Sequence, residues 1–287
     1  MYETKFLALP DVELAYRVIE VPNSKTDSCC LMLHGAGVAG MLTYGPMLEH
    51  LTQWRWLLIP DLNGMGESFY HGKLESPLTV EQLSDDIELL LNHLNWVEFD
   101  IVGYSLGGLV ALHLNHALKS KTGASHRLAL LEPAGLDRES VQTLAEVRQR
   151  YKLASKIIRE TGDVELGIAH FMDGVSPNRR KHPVAEATTQ SRLAHRPIGF
   201  SYALDAVTEF VEQMAKTPAV RTRLIESAEK VALFSGALSH SLLQEHYEVL
   251  ANSQIGWQHH VMTGCDHSLP FQKPRQIARL IESSLFD

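Results

Sequence analysis

The chain has 287 residues, 45% of them hydrophobic and 21% charged, with a formal net charge of −8. That balance belongs to a globular protein with a substantial core and excludes disorder, collagen and coiled coil. An acidic chain is also a poor match for nucleic-acid phosphates or an anionic membrane, so neither is expected as a partner.

Met1–Pro10 carries Glu3 and no basic stretch ahead of an apolar run, so it does not read as a secretory leader. No run of about 18 apolar residues occurs, and no membrane span is expected. Lys5–Leu9 and Glu13–Val21 read as an opening pair of strands. Cys29–His34 is a continuous apolar run ended by glycines, as in a buried central strand, and Trp56–Pro60 repeats the pattern. A bridge between the neighbours Cys29 and Cys30 would be strained, and Cys265 is remote in sequence. Three free thiols in a reducing cytoplasm are the expectation. Thr79–Leu94 has a capping start and apolar residues at helical spacing (Leu83, Ile87, Leu90, Leu91, Leu94). Asp100–Gly103 and Arg127–Leu131 read as strands around a helix at Leu106–Lys119; strands at Val231–Ser235 and Gly256–Met262 and a helix at Pro274–Phe286 follow. This alternation is the signature of a parallel sheet. Asp137–Ser227 breaks it: helical in composition, punctuated by Pro177, Pro183, Pro197 and Pro218, and without a strand. The expected fold is α/β, a mostly parallel eight-stranded sheet flanked by helices. Residues 1–136 and 228–287 form its core, and 137–227 a helical cap insertion.

Gly103-Tyr104-Ser105-Leu106-Gly107 is a G-x-S-x-G motif between a strand and a helix. By chance its three fixed positions recur in roughly one chain of this length in ten. The strand–turn–helix setting gives it meaning, because a serine on so tight a bend is left exposed at a helix N-terminus, where an oxyanion is favoured. His34-Gly35-Ala36-Gly37 ends an earlier strand and can aim the Ala36 N–H into the same site, with the Leu106 N–H as second oxyanion donor; the His34 side chain is read as a brace for the loop. His267 follows the last strand, where a general base would enter.

With HGAG (34–37), PDLNGMGES (60–68), GYSLGG (103–108) and CDHSLP (265–270) in order, the chain resembles the α/β-hydrolase-fold proteins of the esterase/lipase and C–C hydrolase type over nearly its whole length. The resemblance implies Ser105 as nucleophile and His267 as general base. A serine rather than an aspartate at 105 argues against dehalogenase or epoxide hydrolase chemistry. Asp61, Gly64, Gly66 and Ser68 match the family's structural loop after the fourth strand. The family's usual acid, in a G-x-x-D pattern, is replaced here by Ser239 in Gly236-Ala237-Leu238-Ser239. Glu132, at the end of the preceding strand, is the candidate acid; the alternative is a carboxylate that only hydrogen-bonds loop backbone. Asp266 diverges from its neighbour His267 and is not favoured.

In the cap, Phe171, Met172, Phe200, Tyr202, Phe210 and Met214 either line a pocket or pack the cap onto the core, and Arg179-Arg180-Lys181 is read as a solvated charged turn. The expected function is hydrolysis of a small carboxylic ester or related carbonyl compound through an acyl-enzyme. The alternatives are a C–C bond hydrolase of a vinylogous diketone, a lyase or transferase, and a non-catalytic binding protein on the same fold. No metal and no organic cofactor is implied; the partner is a small-molecule substrate, and homo-oligomerisation is left open.

Overall fold

The computed structural model describes residues 2–286. In chain order the elements are β1 (Lys5–Ala8), β2 (Val12–Glu20), β3 (Cys29–Leu33), α1 (Gly40–Tyr44), a 3₁₀ turn (Gly45–His50), β4 (Trp56–Pro60), β5 (Phe69–Tyr70), α2 (Val80–Leu94), β6 (Asp100–Tyr104), α3 (Leu106–Thr122) and β7 (Arg127–Leu131). Then come α4 (Val141–Lys156), a π turn (Ile157–Thr161), α5 (Val164–Val175), α6 (Pro183–Leu193), α7 (Pro197–Lys216), α8 (Ala219–Ser227), β8 (Lys230–Gly236), α9 (Ser241–Ser253), β9 (Trp257–Met262), α10 (Leu269–Gln272) and α11 (Pro274–Phe286).

The strands form one sheet in the order β1-β2-β4-β3-β6-β7-β8-β9. From β4 onward every neighbouring pair is parallel, whereas β1 and β2 run antiparallel at one edge. The two-residue β5 adds a ninth strand against β2. It is too short to carry a period, which is why eight strands and not nine are legible in the sequence. Thr79 is a cap rather than the first helical residue: its side chain accepts the Gln82 N–H and Gln82 reciprocates, closing a capping box with Gln82 instead of the neighbouring Glu81.

Apart from Asp100 and Arg127, which pair at 2.6 Å where β6 and β7 begin, the central strands are largely apolar because both faces of the sheet are covered. Leu31, Leu33, Ile101, Leu128 and Leu130 point to one side, where they pack with Leu83 and Ile87 of α2 and Val110 and Leu114 of α3. Cys30, Met32, Val102, Ala129 and Leu131 point to the other, against Trp54 and Ile277, Ile281 and Leu285 of α11. Burying one such leucine is worth roughly 1.5–3 kcal/mol. From β3 the order proceeds outward to β4 on one side and β6 on the other. The carboxyl ends of β3 and β6 therefore bound the crevice that a reversal of strand order creates, where such sheets place their ligands.

Helices α4 to α8 lie between β7 and β8. The first part of α7 (Phe200, Leu204) packs with Tyr151, Ile168 and Phe171 in a separate apolar cluster, while Val207, Phe210, Val211 and Met214 join the sheet's own core. Arg196 ties this helical segment to the loop after β4, donating to Glu75 (2.8 Å) and to the Ser68 carbonyl (2.6 Å). Among the described residues no helix is long and apolar enough to cross a membrane.

Candidate active site

Ser105 is the single residue between β6 and α3, and it has φ 52° and ψ −114°. A side chain held there costs about 1–3 kcal/mol, so the surroundings must impose it. They do so through the backbone: the Ser105 N–H donates to Leu131 O (2.9 Å), and its carbonyl accepts from Gly108 (3.0 Å) and Ala134 (2.9 Å). Glycine is required on both sides for want of space. A Cβ on Gly107 would lie 2.1 Å from the Leu33 carbonyl, and one on Gly103 2.6 Å from the Gly107 carbonyl.

The turn after β3 lies against this bend, with the Cβ position of Gly35 3.3 Å from Ser105 Cβ. His34 is fully buried; its Nε2 accepts the Leu62 N–H (2.8 Å) and its Nδ1–H donates to Gly35 O (2.7 Å). Burial holds its pKa below the ordinary imidazole value, in keeping with a neutral brace. Ala36 lines a cavity together with Ser105. Leu106 is the first residue of α3, where helix N–H groups have no partner within the helix. Among the described residues neither the Ala36 nor the Leu106 amide has a backbone acceptor. Asp61, in the loop after β4, is occupied in holding that loop, accepting from the Glu67 N–H (3.0 Å), from Arg17 of β2 (2.8 Å) and from the Gly40 N–H of α1 (2.7 Å).

His267 arrives from the loop after β9. Its Nε2 stands 3.1 Å from Ser105 Oγ and its Nδ1 2.7 Å from Glu132 Oε2. Glu132 follows β7 directly, is 2% exposed and has φ 44°. Its other oxygen accepts from the Gly236 N–H (2.7 Å) and from Ser239 Oγ (2.6 Å). The serine in the usual place of an aspartate thus donates to the carboxylate on the neighbouring strand end. Asp266 turns away to the Ser268 N–H (2.8 Å) and Gln272 (3.0 Å). Beside a carboxylate that accepts only, Nδ1 carries the proton and Nε2 is free to accept from the hydroxyl. A hydroxyl, an imidazole and a buried carboxylate in that order can deliver an alkoxide to a carbonyl carbon.

Two further groups steady His267 and leave no motif. The Tyr104 hydroxyl donates to the His267 carbonyl (2.9 Å), with burial pushing the phenol pKa up, and Ser176 Oγ, just past α5, accepts the His267 N–H (3.0 Å). Tyr104 ends β6 beside Ser105 and Ser176 directly follows α5, and neither position signals this contact in the sequence.

Two small cavities flank Ser105, of about 30 Å³ and about 20 Å³, and Ser105, His267 and Phe171 line both. Of the apolar residues singled out between β7 and β8, Phe171 and Met172 reach these cavities; Phe200, Phe210 and Met214 pack in the interior, and Tyr202 lies under Arg159 at 5.1 Å. Arg179 pairs with Asp173 (2.7 Å) and Glu186 (2.9 Å), and Lys181 with Asp173 (3.2 Å), so these cations are matched within the chain.

The family model described as the alpha/beta hydrolase family matches residues 30–280. The abhydrolase domain-containing protein abhd-5.2 of Caenorhabditis elegans is 27% identical over 57% of this chain, a stretch that takes in only 36% of that longer relative. Lipase LipV of Mycobacterium tuberculosis is 24% identical, over 87% of this chain and 94% of its own. Among solved structures, a thermophilic esterase from Thermogutta terrifontis superposes with a TM-score of 0.70 at 22% identity, covering 98% of this chain and 97% of that one. The likeness in structure is one of fold.

Proposed function

Because this chain belongs to the alpha/beta hydrolase family, we propose that it is a serine hydrolase of small carboxylic esters or related carbonyl compounds. Ser105 Oγ attacks the carbonyl carbon while His267 Nε2 takes its proton. The Ala36 and Leu106 N–H groups receive the developing oxyanion. The imidazolium then gives its proton to the departing alcohol, leaving an acyl group on Ser105. Water, deprotonated by the same nitrogen, releases the acid. Glu132 fixes the tautomer of His267 and balances its charge, and Ser239 holds Glu132 in place. Residues 137–227 act as a cap over the site. Ester cleavage is the activity named for the lipase and esterase relatives, and it asks no more of the site than these groups provide.

The observation that carries this reading is the pair of contacts from one imidazole, 3.1 Å to Ser105 Oγ and 2.7 Å to Glu132. A fluorophosphonate probe should label the wild-type chain once, at Ser105. Ser105→Ala should abolish labelling and lower ester turnover by three or more orders of magnitude, given that loss of the nucleophile in a comparable site costs about 2 × 10⁶. Undiminished turnover in that variant would remove Ser105 from the reaction.

A further inference from the structure

The larger cavity beside Ser105 has a wall that ester hydrolysis alone does not call for. Alongside Ser105 and Glu132 it is lined by Asp137, Arg138, Arg148 and Tyr151. Arg148 is 4% exposed, and its one hydrogen bond runs from Nη2 to the Leu204 carbonyl at 3.4 Å; its Nε has no partner. It stands on the buried face of α4, in the row Leu144, Arg148, Tyr151 and Ser155, with its guanidinium 4.4 Å from the Tyr151 ring centre. Arg138, also 4% exposed, has its nearest carboxylate oxygen on Asp137 at 3.9 Å, beyond hydrogen-bond range.

The other buried arginines differ. Arg17, Arg179 and Arg196 each meet a carboxylate, at 2.8, 2.7 and 2.8 Å respectively. Arg221 places both Nη groups on three acceptors, the Arg138 and Glu139 carbonyls and His246. A buried guanidinium without an anion is costly and is rarely left so. Arg221 also lacks an anion and leaves its Nε without a partner, but neutral acceptors fill both its Nη groups; Arg138 and Arg148, the two that face the cavity, have no carboxylate within hydrogen-bond range. Glu132 does not serve them, because Ser239, Gly236 and His267 already occupy its oxygens. Asp137 stands nearest, but its Oδ2 stays 3.9 Å from Arg138 and its Oδ1 has no partner.

We propose that this cavity receives a carboxylate carried by the substrate, held by Arg148 and Arg138 while Ser105 acts on a carbonyl a few atoms away. The chemical class is a monoester joining a short dicarboxylic acid to an alcohol, or a neutral acid to a hydroxy acid. The unpartnered Nε of Arg148, with an Nη beside it, presents the fork that a carboxylate fills with both oxygens. The proposal rests on the hydrolase reading above and names its substrate.

The test compares p-nitrophenyl hemisuccinate and hemiglutarate with p-nitrophenyl butyrate and valerate, and butyrate esters of 3-hydroxypropanoate and 4-hydroxybutanoate with those of propanol and butanol. In one of the two series the carboxylate ester should exceed its neutral counterpart at least tenfold in kcat/KM, since a charged hydrogen bond is worth about 1.5–3 kcal/mol. Arg148→Gln should bring that ratio to within about threefold of unity, and Arg148→Lys should keep part of it. Fluorophosphonate labelling and the melting temperature check that each variant is folded, and the wild-type ratio decides by itself should Arg148→Gln not fold. Equal rates for charged and neutral esters in both series, or a preference that survives Arg148→Gln, overturn the proposal. An enzyme that labels and cleaves neutral esters without preference loses only this inference, whereas one that neither labels nor cleaves any ester loses the hydrolase reading as well.

Discussion

The cavity beside Ser105 has two walls made by different means. The wall at the strand ends is backbone: Ser105 is held by peptide hydrogen bonds from β7 and α3, and Gly107 sits where even one added carbon would strike the Leu33 carbonyl at 2.1 Å. The facing wall, on α4 and α5, is side chain: Tyr151, Phe171, Arg148 and their neighbours shape it, and α7 joins these helices to the apolar core of the sheet. Backbone geometry of this kind admits few alternatives, since interiors are close-packed and yield little. Side chains on a helix exchange far more readily. One wall is thus suited to fixing a reaction and the other to choosing what undergoes it.

Replacements on the strand-end side should be severe and indifferent to substrate. Glu132→Gln, nearly isosteric, should lower kcat at least a hundredfold on every ester while the melting curve changes little, in line with the roughly 10⁴ that a lost orienting acid costs a serine protease; a loss below tenfold in a folded variant would place that role elsewhere. Gly107→Ala should destabilise the fold by about 3 kcal/mol or more, read as a lower denaturant midpoint, because backbone stands on both sides of the new carbon. An unchanged midpoint would mean that the bend is less rigid than its contacts imply. Ser239→Ala leaves one Glu132 oxygen with the Gly236 N–H as its remaining donor. It should cost about tenfold or more in kcat, the lower end of the roughly 1.5–3 kcal/mol of a hydrogen bond to a charged group, with KM nearly constant. A shift in KM alone would mark Ser239 as a binding group instead. On the helical side, Phe171→Leu should alter the order of preference among esters of graded chain length while changing the rate of fluorophosphonate labelling less than tenfold. Should labelling collapse, the two walls are not separable.

The same contrast explains what was legible in the sequence. Buried parallel strands are continuous apolar runs and tight approaches demand glycine, so the sheet, the bend at Ser105 and the turn at His34–Gly37 all leave marks in composition. The capping box at Thr79 and Gln82 is equally local. Glu132 could be named only as one of two possibilities, because its value depends on how far β7 lies from the loop after β9, a distance no local pattern encodes. Ser239 stood out as a departure from a pattern, but its hydrogen bond to Glu132 depends on two neighbouring strand ends meeting. Ser176, Arg138 and Arg148 left less. A charge at 148, four residues beyond Leu144 and three before Tyr151 on the buried face of α4, is the one periodic oddity that could have drawn attention. β5 carries no pattern at all.

Glu132 and Ser239 touch at 2.6 Å from the ends of adjacent strands, on the side of His267 away from Ser105. Under the proposed reading, in which Glu132 orients His267, a carboxylate at 239 would stand beside the acid whose place it could take. An aspartate arising at 239 beside Glu132 gives two carboxyls in contact, one of which retains a proton to avoid repulsion and donates as the serine does now. Either carboxylate could then hold the His267 imidazole while the other side chain changes.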